Sequence, residues 1–199
     1  MNFFAFTKLG RVLLMTAVLV VGAVCVSYGD NFTDSRDGKK YRSVKIGGKA
    51  WMAQNLNYQT GNSWCYDGDN SNCEKYGRLY DWNTAKTACP KGWHLPTREE
   101  WSVLEAEAGG NVAGKMLKSA SGWENNGNGT DSYGFSALPG GARLSNGDFD
   151  GAGEFGRWWT APENGSSYAY YWELIYNGDN VYDFSGSKSY AYSVRCVQD

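Results

Sequence analysis

Short stretches of alternating or periodic apolar residues, separated by turn-forming residues, run along most of this chain. Tyr41, Val44 and Ile46 stand in a β-prone stretch after the turn signal Asp37-Gly38. Gly47-Gly48 then leads into Lys49-Ala50-Trp51-Met52-Ala53, so a hairpin is expected here. Leu79, Trp82, Ala85 and Cys89 recur at three- and four-residue steps, which predicts a helix over 78–89 stopped by Pro90. A second helix is better marked. Thr97 is its N-cap, Glu100 completes a capping box, Trp101, Leu104 and Ala108 line one face, and Gly109-Gly110 ends it. Val112 to Lys118 is expected to form a third short helix.

Past Gly122 the pattern changes to strands and turns. Asn146-Gly147 is a hairpin signal between Ala142-Arg143-Leu144 and Asp148-Phe149. Tyr168, Tyr170, Trp172 and Leu174 alternate along a strand that Asn177-Gly178 turns into Val181-Tyr182-Asp183-Phe184. Tyr190, Tyr192, Val194 and Cys196 share one face of a last strand. The expected fold is α+β, two helices packed on a twisted, mostly antiparallel sheet. No internal repeat or long linker divides it.

The first 29 residues do not fit that pattern. Lys8 and Arg11 precede a largely apolar run, Val12 to Val26, and no acidic residue comes before Asp30. This is the make-up of a secretory signal peptide, with Ser27 and Gly29 as the small residues before a cut after Gly29. Cleavage after Ser27 is the alternative. The run falls short of the roughly 20 residues that span a bilayer, so no transmembrane span is expected once the signal is removed. Val24 and Gly22 ahead of Cys25 do not match a lipoprotein signal, so lipid anchoring through Cys25 is not expected. The remaining 30–199 then form a single exported domain, secreted, periplasmic or on the outer surface.

Composition narrows the function. With 9 Trp, 14 Tyr and 8 Phe among 199 residues, the chain can build a core and is not a disordered protein. A net charge of −2 argues against a nucleic-acid partner. The single histidine, His94, excludes metal sites and catalytic triads that need two. Beyond Cys25 stand Cys65, Cys73, Cys89 and Cys196, an even number in an exported chain, which implies disulfides. Four cysteines allow three pairings. One closes the polar loop between Cys65 and Cys73 and leaves Cys89 to Cys196. No pair has CxxC spacing, so zinc is not expected.

Four motifs carry a family resemblance. They are Cys89-Pro90-Lys91-Gly92-Trp93-His94-Leu95-Pro96-Thr97-Arg98-Glu99-Glu100-Trp101, Leu138-Pro139-Gly140-Gly141-Ala142-Arg143, Arg157-Trp158-Trp159-Thr160 and Ser193-Val194-Arg195-Cys196-Val197. Together they resemble the Fibrobacter succinogenes major paralogous domain family. The Leu-Pro-Thr-x-x-Glu-Trp core and the Arg-Cys-Val ending are also similar to the formylglycine-generating enzyme superfamily, which has a C-type-lectin-like architecture. The resemblance implies that a disulfide joins the first helix to the last strand, a role that Cys89 and Cys196 fit. It also implies a reactive, copper-binding cysteine pair in the enzymes, and here both bridges use all four cysteines. A non-catalytic module is therefore expected, with an enzyme of the formylglycine-generating fold as one alternative. Glu154, Glu163 and Glu173 are carboxylates that a glycosidase could pair, though sequence spacing does not place them together.

Lectin-like calcium sites imply a Glu-Pro-Asn type motif. The nearest match, Ala161-Pro162-Glu163-Asn164, has lost its first carboxylate. Asp67, Asp69 and Ser71 have the one-three-five spacing of a calcium loop but lack its Gly and its closing Glu. Asp148, Asp150 and Glu154 make a second oxygen-rich loop. No cofactor is expected, with calcium at these loops as the exception to test. For binding, aromatic faces beside carboxylates and amides suit sugar rings. The candidate ligand-binding residues are Trp158, Trp159, Glu163, Asn164, Tyr171 and Glu173. The expected partner is a polysaccharide, of plant cell-wall type for example, and the alternative is a cell-surface protein.

Overall fold

The computed structural model describes residues 31–199; the expected signal peptide and Cys25 lie outside the described residues. The fold is α+β, with four α-helices among the described residues and mostly antiparallel strands. In chain order the elements begin with β1 (Phe32–Thr33), β2 (Lys40–Tyr41), β3 (Ser43–Ile46), β4 (Lys49–Met52) and β5 (Ser63–Trp64). Next come α1 (Asn70–Tyr76), β6 (Leu79–Asp81), α2 (Trp82–Ala88), β7 (Trp93–His94), α3 (Arg98–Glu107) and α4 (Ala113–Leu117). The rest is β: β8 (Gly140–Arg143), β9 (Phe149–Ala152), β10 (Phe155–Asn164), β11 (Tyr168–Ile175), β12 (Tyr182–Ser187), β13 (Ala191–Ser193) and β14 (Val197–Gln198).

The main sheet runs β12-β11-β10-β8-β13-β6-β5, with β9 paired to β8. A smaller sheet, β3-β4-β14-β7, joins the two ends of the domain, because Val197 lies between Trp51 and His94. The expected hairpins form at Gly47-Gly48 and at Asn146-Gly147. The capping box of α3 is complete, with Thr97 and Glu100 each accepting from the other's backbone N–H.

Three expectations need correction. The helix placed over 78–89 begins at Trp82, because Asp81 is its N-cap and accepts the Thr84 N–H at 2.8 Å; Leu79–Asp81 is a strand instead. An unexpected helix, α1, starts inside the loop between Cys65 and Cys73 and runs on to Tyr76, a fourth beside the two main helices and the short third one, α4. The last strand is two strands in different sheets, β13 and β14. Tyr192, Val194 and Cys196 still face one core across that break.

Both disulfides form as expected. Cys65 is bonded to Cys73, and Cys89, just past α2, is bonded to Cys196, just before β14. Two cores lie on opposite faces of the main sheet. One gathers Trp51, Trp101, Leu104, Phe135, Trp158 and Trp172, with α3 as its lid. The other gathers Met52, Leu56, Trp82, Trp159, Tyr171 and Tyr192, with α2 against it. Alternate residues of β10 therefore enter different cores, as strand geometry dictates.

Candidate functional site

The six candidate residues do not form one surface. Trp158 and Trp159 are corrected first: both are buried. Trp158 Nε1 donates to Asn55 Oδ1 at 2.9 Å, and Trp159 Nε1 donates to the Tyr80 carbonyl at 2.8 Å. β10 is an interior strand covered on both faces, so neither indole presents a plane to solvent.

Glu163 and Asn164 are exposed near the tip of the β10–β11 hairpin, past an irregularity in the register between Trp159 and Glu163. Glu163 is not a free carboxylate. The Lys188 ammonium hydrogen-bonds to it, and that bond and its charge hold the Glu163 carboxyl below its ordinary range. Lys188 also donates to the carbonyls of Gly165 and Ser166, at 3.0 Å each, so the group fastens the hairpin end.

Tyr171 and Glu173 do come together, with partners the sequence reading missed. Arg157 lies opposite Glu173 across the ladder, and its Nε donates to Glu173 Oε2. The guanidinium lies 3.9 Å from the Phe155 ring centroid and 5.6 Å from those of Tyr171 and Tyr192. Burial opposes the charge on Arg157, but the hydrogen bond and charge of Glu173 outweigh it and raise the pKa. The Arg157 guanidinium stays charged.

β12 extends this face outward. Tyr182 lies opposite Glu173, and Phe184 lies opposite Tyr171. The rings of Tyr182 and Phe184 are nearly parallel, 8° apart, with centroids 6.0 Å apart. Phe184 is 46% exposed, and its ring centroid is 6.0 Å from that of Tyr171. The hydroxyls of Tyr171 and Tyr192 are pushed upward, by burial first, so they stay protonated donors. Gly186 leaves space for both rings: a Cβ there would meet Tyr192 Oη at 2.9 Å and Tyr171 Cε1 at 3.1 Å.

The sequence held a signal for the missed residues. Tyr182 and Phe184 are two apart on a strand, the spacing of one face. Arg157 precedes the two tryptophans directly, but only the register with β11 sets it beside Glu173.

One residue of each oxygen-rich loop makes a local hydrogen bond. Asp69 accepts the Ser71 N–H at 2.8 Å as the N-cap of α1. Asp148 accepts the Asn146 amide at 2.6 Å, in the turn before Asp150 and Glu154. Among the described residues no three His, Cys, Asp or Glu side chains converge as a metal site would need. His94 lies between two carboxylates. Its Nδ1 is 2.6 Å from Asp199 and its Nε2 is 3.0 Å from Glu100, a contact that ties the end of the chain to the start of α3.

Residues 44–198 match the family model described as Fibrobacter succinogenes major domain (Fib_succ_major), and the chain belongs to that family. Nothing among curated proteins and nothing among solved structures matches it. Among the described residues no helix is long and apolar enough to cross a membrane.

Proposed function

We propose that this member of the Fib_succ_major family is an exported, C-type-lectin-like module that recognises carbohydrate at the edge of the main sheet, on β12 where it meets β11. The observation that carries the reading is the parallel pair Tyr182 and Phe184 beside the Arg157–Glu173 ion pair. The C–H face of a sugar ring stacks on aromatic rings, and its hydroxyls seek donors and acceptors close by. The guanidinium, the carboxylate and the Tyr182 hydroxyl supply both kinds. The lectin-like comparison draws support from the bridge between the end of α2 and the segment before β14, and from the small sheet joining both ends of the domain. Two disulfides are compatible with export.

A protein partner is the second reading. A groove of about 180 Å³ beside α3, lined by Ile46, Trp51 and Val103, is apolar and favours it. Retention on insoluble cellulose and xylan, with a soluble glycan panel in competition, separates the two. The carbohydrate reading expects saturable retention that is lost in Tyr182→Ala/Phe184→Ala. Absence of retention, alongside capture of an envelope protein that depends on Val103, would move the function to the groove.

A further inference from the structure

A polar cleft of about 230 Å³ opens where β2, the segment after β4, α1 and the segment before β8 meet. Lys40, Arg42 and Lys75 contribute cations to its lining, Asn55 and Ser136 contribute polar groups, and Glu74 is the one carboxylate that lines it. Gly77 allows α1 to end against the Asn55 segment. Its φ is +76°, and a Cβ there would meet Asn55 Cβ at 2.7 Å and the Leu56 carbonyl at 2.9 Å. Any side chain at 77 would push that wall aside.

The charges in this cleft are not balanced. Among the described residues Lys40, Arg42 and Lys75 make no ion pair. Lys75 Nζ lies 4.5 Å from the centroid of the Tyr76 ring, and Glu74 accepts from the Asn57 amide at 3.4 Å. Behind Asn55 and Ser136 lies a fourth cation, Arg195, which is fully buried. Its N–H groups go only to neutral oxygens: Asn55 Oδ1 at 3.0 Å and the carbonyls of Met52 at 3.1 Å, Ser136 at 3.1 Å and Phe135. Burial brings the Arg195 guanidinium down to about 9; the charge of Asp131 acts against this, and that of Arg42 adds to it. Asp131 is itself bound to Ser136, through its N–H and its hydroxyl, at 2.6 Å each. Three cations thus stand against the single carboxylate Glu74 in the lining, with Arg195 and Asp131 behind it, in a chain whose net charge is −2.

We propose that this cleft binds a single oxyanion group carried on a small polar molecule, either the carboxylate of a uronic acid unit or a phosphate. Arg42 supplies the planar fork that takes two oxygens at once, and the two lysines act as point charges beside it. Asn57 and Gln54, also in the lining, offer amides to hydroxyls next to the charged group. The site is separate from the face of Tyr182 and Phe184, so its test does not depend on the carbohydrate reading.

Titration calorimetry of the full-length protein at low salt tests it, with glucuronate, inorganic phosphate and glucose as probes. Lys40→Gln/Arg42→Gln/Lys75→Gln is the test variant, and Lys91→Gln is the control for loss of charge elsewhere. All four side chains are exposed, so the fold should survive the substitutions. Glucuronate or phosphate should bind the native protein and glucose should not. Affinity should fall at least tenfold in the triple variant, should weaken as salt is added, and should be unchanged in Lys91→Gln. The tighter of the two anions identifies the source of the oxyanion, and either one upholds the site. The proposal is overturned if neither anion binds, if the triple variant binds as the native protein does, or if Lys91→Gln loses as much.

Discussion

The two faces of β11 use the same kinds of residue for opposite ends. On one face Trp172 stacks on Trp101 of α3, with centroids 5.5 Å apart and planes 16° apart, and the face is closed. On the other face Tyr171 meets Phe184, and no helix covers the outer strand, so nearly half of Phe184 remains in solvent. Aromatic content therefore does not distinguish core from exposed surface in this chain. What distinguishes them is that the edge strand β12 leaves Phe184 uncovered.

The comparison breaks first at the closed face. Trp101→Ala removes the ring that touches Trp51, Phe135, Trp158 and Trp172, and should cost about 3–5 kcal/mol in denaturant unfolding. Next comes the bridge that ties α2 to the end of the chain. Cys89→Ser/Cys196→Ser should cost about 2–4 kcal/mol and lower the melting temperature without redistributing the other bridge.

Gly186→Ala probes the open face from beneath. Its methyl group must displace the Tyr171 and Tyr192 rings, so about 1–3 kcal/mol of stability should be lost together with glycan retention. A smaller effect belongs to Glu100, at the start of the helix that closes the other face. Burial raises its carboxyl, but the Thr97 N–H, His94 and Lys49 outweigh that and hold it below the ordinary 4.5. A depressed carboxyl contributes stability above its unfolded value and loses it as pH falls through the folded one. Thermal melts from pH 6 downward should therefore fall less steeply below about pH 4.5 in Glu100→Gln than in the native protein. The smallest effect on stability is expected at Phe184. Its replacement by Ala should change unfolding by about 0.5 kcal/mol or less, because the ring is half exposed, while removing binding.

Much of the scaffold could be read along the chain. The capping box at Thr97 and the turns at Gly47-Gly48 and Asn146-Gly147 depend on a few adjacent residues, and they form as expected. The helix start at Trp82 was missed because Leu79 keeps the helical spacing while belonging to a strand; the Asp81 cap decides the boundary. The candidate site was less legible. Trp158 and Trp159 share their local pattern with surface aromatics, and only the sheet order shows β10 as an interior strand. Arg157, Tyr182 and Phe184 belong with Tyr171 and Glu173 through cross-strand register, which no single segment contains.

The central claim is that ligand meets the open face while the closed face stays as it is. NMR of the protein titrated with a soluble xylan or cellulose oligosaccharide tests it directly. The account predicts saturable shifts of the Tyr182 and Phe184 ring protons, with the indole N–H signals of Trp101, Trp158 and Trp172 unmoved. Binding with the ring protons of Tyr182 and Phe184 unmoved, or no binding by any glycan, would contradict it.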